Sequence, residues 1–257
     1  MNTTPPAPES SGVSGVRITR GVALAFPPGG IVIHAKDNKL EVKQFHLRLN
    51  LATEWLEIAF ENLERARLAH AEWANLRATG TDSDELLNRE FKAAMQAMVA
   101  AGTFFEALYA ATREVLPPHL HATQTVGRGK GKRSALVAEQ LKRAFGLRKK
   151  GAANLLSVVS EVYRFRDESV HPAAAFGPPA VHPLLGQYVE RRVAMFTFPN
   201  AQLIVRAAIA YAKILPTVAN KQGPKESREL AAYLLSTCEP LFVNWESQYG
   251  SLLETAA

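Results

Sequence analysis

Arg166 and His171 are the two side chains whose types and spacing suggest chemistry beyond packing. They enclose Asp167-Glu168-Ser169-Val170 and are followed by Pro172. An arginine offers a permanently charged fork of donors that matches phosphate oxygens. A histidine exchanges protons near neutral pH. Converging on one phosphate, the two could assist attack of an RNA 2′-hydroxyl without a metal ion. The products would be a 2′,3′-cyclic phosphate and a free 5′-hydroxyl. In an unbroken helix a five-residue separation turns the two side chains apart by roughly 140°. Pro172 loosens that constraint, because the residue before a proline is pushed out of the α region. The plainer reading is a pair of helix-terminal cations favoured by the helix dipole.

These residues close the helix-forming stretch Ser157 to Pro172. Leu156, Val159 and Tyr163 share one stripe, with Leu155, Val158, Val162 and Phe165 beside it, so a broad buried face is expected. Arg166 continues the first stripe. An arginine on an apolar edge calls for a partner. Asp167 and Glu168, its neighbours in sequence, should point elsewhere on the helix.

The elements that must position this segment read as follows. Residues 1–15 are rich in Pro, Ser, Thr and Gly and predict a flexible tail. Residues 16–49 hold three short segments, Val16 to Phe26, Ile31 to Ala35 and Leu40 to Leu49, separated by turns. They predict a small antiparallel β meander. From residue 50 the period becomes helical. One accessory helix spans about 51–78 within residues 50–82, and Asp82-Ser83-Asp84 starts the next. That helix runs to about Leu116, where Pro117-Pro118 ends it, and Gly102 marks a candidate kink. Ser134 caps a helix to Phe145, closed by Gly146. Another follows from about Gly151 to Val170, a further one from Asn200 to Ile214, and a last one from Lys225 to about Trp245. The fold class is therefore all-α, a bundle of five or six helices with an appended β meander. Residues 83–222 form the bundle, and 223–257 a C-terminal helix packed on it.

Charge is concentrated just before the Arg166 helix. The 257-residue chain carries a formal net charge of +6, and its isoelectric point is near 9.5. Between His119 and Lys150 stand nine basic residues, Arg128, Lys130, Lys132, Arg133, Lys142, Arg143, Arg148, Lys149 and Lys150, against Glu139 alone. This segment exceeds the whole chain's excess, and the remainder is slightly acidic. Its loop Gly127 to Arg133 could mould to a phosphate backbone, so all nine are candidate nucleic-acid contacts without base specificity. A solvated connection has the same composition. The glycine spacing is not that of a phosphate-binding P-loop.

Other function classes find little support. The one cysteine, Cys238, excludes an intrachain disulfide framework and a Cys-cluster metal site. His119, His121 and His182 lack a metal-ligand pattern, and His34, His46 and His70 read as surface or boundary histidines. Neither a metal nor a cofactor is expected. Trp55, Trp73 and Trp245 read as packing anchors. The N-terminus lacks a basic and apolar leader, and the apolar stretch Leu203 to Ala219 is broken by Arg206 and Lys213. A cytoplasmic protein without a membrane span is the expectation.

The segment Arg166-Asp167-Glu168-Ser169-Val170-His171 resembles the Arg-x(4–6)-His motif of the HEPN family, the higher eukaryote and prokaryote nucleotide-binding domains. Asp167 matches the variant with a polar residue after the arginine, and Val170-His171-Pro172 looks like a common ending. The resemblance covers about Asp84 to Thr217. Val99 to Tyr109 looks like the first core helix, with Glu106 a candidate polar site residue. It implies a helical bundle that dimerises so that both chains line one cleft, and a metal-independent endoribonuclease of toxin–antitoxin or antiviral defence systems. Arg166 would bind and polarise the scissile phosphate. His171 would act in acid–base chemistry or orient the 2′-hydroxyl, and Asp167 would support the site. RNA, a second copy and a cognate antitoxin or regulatory protein are the implied partners. Relatives without nuclease activity imply the alternative, a catalytically inactive nucleic-acid or protein-binding module, or a scaffold with no RNA contact. The β meander and the accessory helix lie outside the family pattern.

Overall fold

The computed structural model describes residues 22–34, 39–81, 83–123, 133–170 and 177–253. The tail expected over 1–15, the loop residues Arg128, Lys130 and Lys132, and His171 with Pro172 lie outside the described residues. The chain divides into two units, Met1–Leu49 and Asn50–Ala257.

Among its described residues the first unit contains four short strands, β1 (Val22–Ala25), β2 (Ile31–His34), β3 (Lys39–Val42) and β4 (His46–Leu49). β2 pairs antiparallel with β3, and β1 with β4. The expected small antiparallel element is present, and its strands nest as one long hairpin. The segment read as Leu40 to Leu49 is split between β3 and β4. The register sets Leu24 opposite Leu47, Ile31 opposite Val42 and Ile33 opposite Leu40. Directly opposed residues share a face, and these six side chains are all exposed.

The second unit is helical. Asn50 caps α1 (Leu51–Ala78), its side chain accepting from the Ala52 N–H at 3.0 Å. Ser83 caps α2 (Asp84–Val115) in the same way, through the Leu86 N–H. Both are residues whose short polar side chains satisfy the orphan N–H groups of a first turn. α3 (Arg133–Phe145) ends at Gly146, whose φ of 68° lies in the left-handed region that glycine tolerates. α4 spans Lys149–Val170. A two-residue ribbon, β5 (Ala180–Val181) with β6 (Tyr188–Val189), and the short α5 (Arg191–Met195) lead into α6 (Phe198–Gln222) and α7 (Arg228–Tyr249).

α2 is the central helix, in contact with α1, α3, α4 and α6. Its small residues Ala94, Ala97, Ala100 and Ala101 are buried together with Phe104, Phe105 and Leu108. Alanine lets neighbouring helix backbones approach closely while the aromatic rings fill the space between them. α1 contributes Leu56, Leu63 and Ala66 to the same core.

α2 runs as one helix through Gly102. Other expectations change. Asn200 is not the cap of α6; Thr197 precedes it, and the Asn200 side chain donates to the Met195 carbonyl. α6 also continues through Pro216, at a buried position. It is the one described helix long and apolar enough to cross a membrane by length and composition, despite Arg206 and Lys213. Ten of its residues are buried within the bundle, which accounts for that apolarity.

Candidate functional site on the groove between α2 and α4

Gly102, Glu106, Tyr109 and Arg113 recur at three- and four-residue steps along α2, so they share one face. Tyr163, Arg166 and Asp167 lie across the groove on α4. Arg133 opens α3. The fold brings these residues into one polar cluster.

Arg166 is only 19% exposed. Its guanidinium stacks over the Tyr163 ring, 4.0 Å from the centroid. Its Nη1 donates to Glu106 Oε1 at 3.2 Å, and its Nε and Nη2 both donate to Asp167 Oδ1, at 3.0 and 2.7 Å. Three of the five guanidinium N–H groups are thereby engaged. The partner that an arginine on an apolar stripe calls for is Glu106, delivered by another helix. Asp167 does not point away as its helical position suggests. The arginine side chain is long enough to fold back across the angle between successive helical residues and reach it. Glu168 pairs instead with Arg191 of α5.

Glu106 is shared between two arginines. Arg133 Nη2 donates to its Oε2 at 2.6 Å and Nε to its Oε1 at 3.1 Å. Arg133 also lies 4.3 Å from the Tyr109 ring centroid. Arg113 approaches the same ring and donates to its hydroxyl at 2.8 Å. Burial works to raise the Glu106 carboxyl, but hydrogen bonding from Arg133 and Arg166, with the Tyr163 hydroxyl nearby, outweighs it and holds the group below the usual carboxylate range. Burial first, and the neighbouring Glu106 carboxylate second, push the Tyr163 hydroxyl well above its ordinary range. At neutral pH the cluster is thus two arginines bridged by an ionised carboxylate, with a neutral phenol beneath.

Arg166 and Asp167 are joined directly, and Arg133 is brought to the same carboxylate as Arg166. The remaining described basic candidates do not converge there. Lys142 and Arg143 pair with Glu139 on their own helix, at 3.1 and 2.8 Å. Arg148, Lys149 and Lys150 are exposed at the start of α4, the end remote from Arg166. Leu156, expected in the buried stripe, is 42% exposed, whereas Leu155, Val159, Val162, Tyr163 and Phe165 are buried. Sequence reasoning does not single out Gly102, Tyr109, Arg113 or Tyr163 as site residues. The helical repeat of Gly102, Glu106, Tyr109 and Arg113 is the signal that could find the first three.

Outside this groove, Glu90 is 1% exposed and joins three helices. His70 of α1 meets its Oε1 at 2.9 Å, and the Phe198 N–H at the start of α6 donates to the same oxygen at 2.8 Å. Among the described residues no three His, Cys, Asp or Glu side chains form a group that could hold a metal ion.

No family model, no curated protein and no solved structure matches this chain.

Proposed function

We propose that this protein is a metal-independent endoribonuclease of the HEPN kind, working as a homodimer. The observation that carries the reading is the convergence of Arg166 and Arg133 on Glu106, 60 and 27 residues away in sequence. It joins the Arg-x(4)-His segment to the end of the basic loop. Arg166 would hold a non-bridging oxygen of the scissile phosphate, with Arg133 supplying a second positive charge. His171 is the next residue after the end of α4 and would handle the proton. The RNA 2′-oxygen loses its proton and bonds to phosphorus, while the bond from phosphorus to the 5′-oxygen breaks and that oxygen takes up a proton. Preorganised guanidinium groups stabilise the charge that develops on phosphorus-bound oxygens.

The test is cleavage of RNA in excess EDTA, with product ends identified as 2′,3′-cyclic phosphate and 5′-hydroxyl. Arg166→Ala and His171→Ala in folded protein should each abolish it. Undiminished cleavage by both variants overturns the assignment.

One observation favours a second reading, a catalytically inactive binding module. Arg166 is already neutralised by Asp167 and Glu106, as an arginine serving only to fasten α4 to α2 would be. That reading predicts RNA or protein binding with no cleavage products under any metal condition.

A further inference from the structure

Beside Arg166, the groove between α2 and α4 opens into a cleft of about 320 Å³. It is lined by Trp55 and Ile58 of α1, Gln96 and Val99 of α2, and Ser169 and Val170 of α4, among others. We propose that this cleft is a nucleobase subsite, receiving the base next to the phosphate held by Arg166. The inference rests on the proposed RNA-directed function and adds to it a place for the base.

Four observations select a nucleobase. The first is position. Ser169 and Val170 follow Arg166 by three and four residues, one turn of α4, or about 5 Å of rise. Val99 precedes Gly102, over which Arg166 lies, by one turn of α2. Cleft and arginine stem are therefore neighbours along one groove, and the guanidinium, turned toward Glu106, lies about one turn farther on, roughly 10 Å from the cleft. The second is charge. No lining residue is ionisable, so the cleft suits a neutral ring while the adjoining arginines suit the anionic linkage. The third is size. The volume is at the small end of ligand sites, about 300–1,000 Å³, enough for a single nucleoside and too small for a peptide helix. The fourth is the lining itself. An indole supplies a stacking surface of the kind used for bases in single-stranded nucleic acid, and the exposed Gln96 supplies an amide able to donate to and accept from a base edge. Trp55 packs against the core while still forming part of this wall, so the indole is held in place before any ligand arrives.

Trp73 and Trp245 are at most 1% exposed, so ligand-induced change in tryptophan fluorescence reports on Trp55. The full chain is titrated with adenosine 5′-monophosphate, with adenosine and with inorganic phosphate. The monophosphate should give a saturable change. Adenosine should give the same change at higher concentration, and phosphate should give none while competing with the monophosphate. Trp55→Ala should weaken binding of the monophosphate, followed by calorimetry, by about tenfold. Arg166→Ala should weaken the monophosphate but not adenosine. Because Trp55→Ala disturbs packing, Gln96→Glu provides a surface variant that keeps the fold and should weaken the monophosphate by about fivefold or more. No change with any nucleotide, wild-type affinity in both the Trp55 and Gln96 variants, or fluorescence that responds only to protein dilution, as a cleft covered by a second copy would, overturns the subsite. RNA cleavage is measured separately. Monophosphate binding through Trp55 without cleavage leaves the subsite standing and removes the nuclease. Cleavage whose KM is unchanged by Trp55→Ala and Gln96→Glu does the reverse.

Discussion

Gly102 lies directly beneath the side chain of Arg166. A methyl group added to Gly102 would come within 3.0 Å of the arginine Cδ, 3.1 Å of its Cβ and 3.2 Å of its Cγ. Glycine within a long helix weakens it, by about 1 kcal/mol relative to alanine. Here that cost leaves a channel in which the arginine stem lies across α2 and delivers the guanidinium to Glu106, one turn further on.

Gly102→Ala should therefore change stability little, within about 1 kcal/mol, as improved helix propensity offsets displacement of the arginine. RNA cleavage should fall by about tenfold or more, because small errors in placing a catalytic group are costly. Gly102→Leu should lose both activity and stability. Thermal unfolding and single-turnover cleavage check the pair; equal activity in all three proteins would show that Arg166 placement is unimportant.

Glu106 bridges two arginines, so Glu106→Ala should cost about 1.5–3 kcal/mol, the scale of hydrogen bonds to charged groups. Its carboxyl is held below the usual range in the fold. The stabilisation is thus present above the unfolded value of 4.5 and disappears as the pH falls through the lower folded value. Denaturant titrations between about pH 7 and pH 3 should show wild type and Glu106→Gln converging at the acid end. Removing this negative charge should also raise RNA affinity, measured by anisotropy at fixed salt.

The His70–Glu90 pair has the opposite sign. The hydrogen bond to Glu90 raises His70 above 6.5, with burial opposing. Its contribution is full below pH 6.5 and is lost as the pH rises through the folded value. Burial lowers the nearby His182, which adds a loss of stability toward acid. The comparison is therefore between wild type and His70→Gln. The stability difference between them should be largest near about pH 6 and shrink by about pH 9.

Arg148, Lys149 and Lys150 are exposed, while Lys142 and Arg143 are paired with Glu139. Lys149→Glu with Lys150→Glu should weaken RNA binding and flatten its dependence on salt concentration. The log–log slope should fall by about 0.7 for each phosphate that the protein no longer neutralises. Lys142→Ala should have the smaller effect. Binding measured across a salt series distinguishes the two outcomes.

Much of the helical architecture is legible locally. Asn50 and Ser83 announce helix starts because a cap needs only its own first turn, and Gly146 announces an end because one residue must take positive φ. Asn200 has the composition of a cap, but its amide is used on Met195, five residues back across the turn between α5 and α6. Leu156 follows the apolar pattern yet faces solvent, since periodicity identifies a face without saying how wide its neighbours are. In the hairpin, alternation marks the strands, while the pairing of β1 with β4 depends on where the chain turns back.

For the site, residue order alone dictates that Arg166 stands on an apolar stripe near the end of a helix and needs an anion. It does not dictate which anion. Asp167, turned aside by the helical angle, is reached because the arginine side chain bends. Glu106 and Arg133 are reached because packing of α2, α3 and α4 closes separations of 60 and 27 residues. Caps and periods are written within a few residues of where they act. A charge network between helices exists only after the core has fixed their distance and rotation, and at this site Gly102 is the residue that permits that approach.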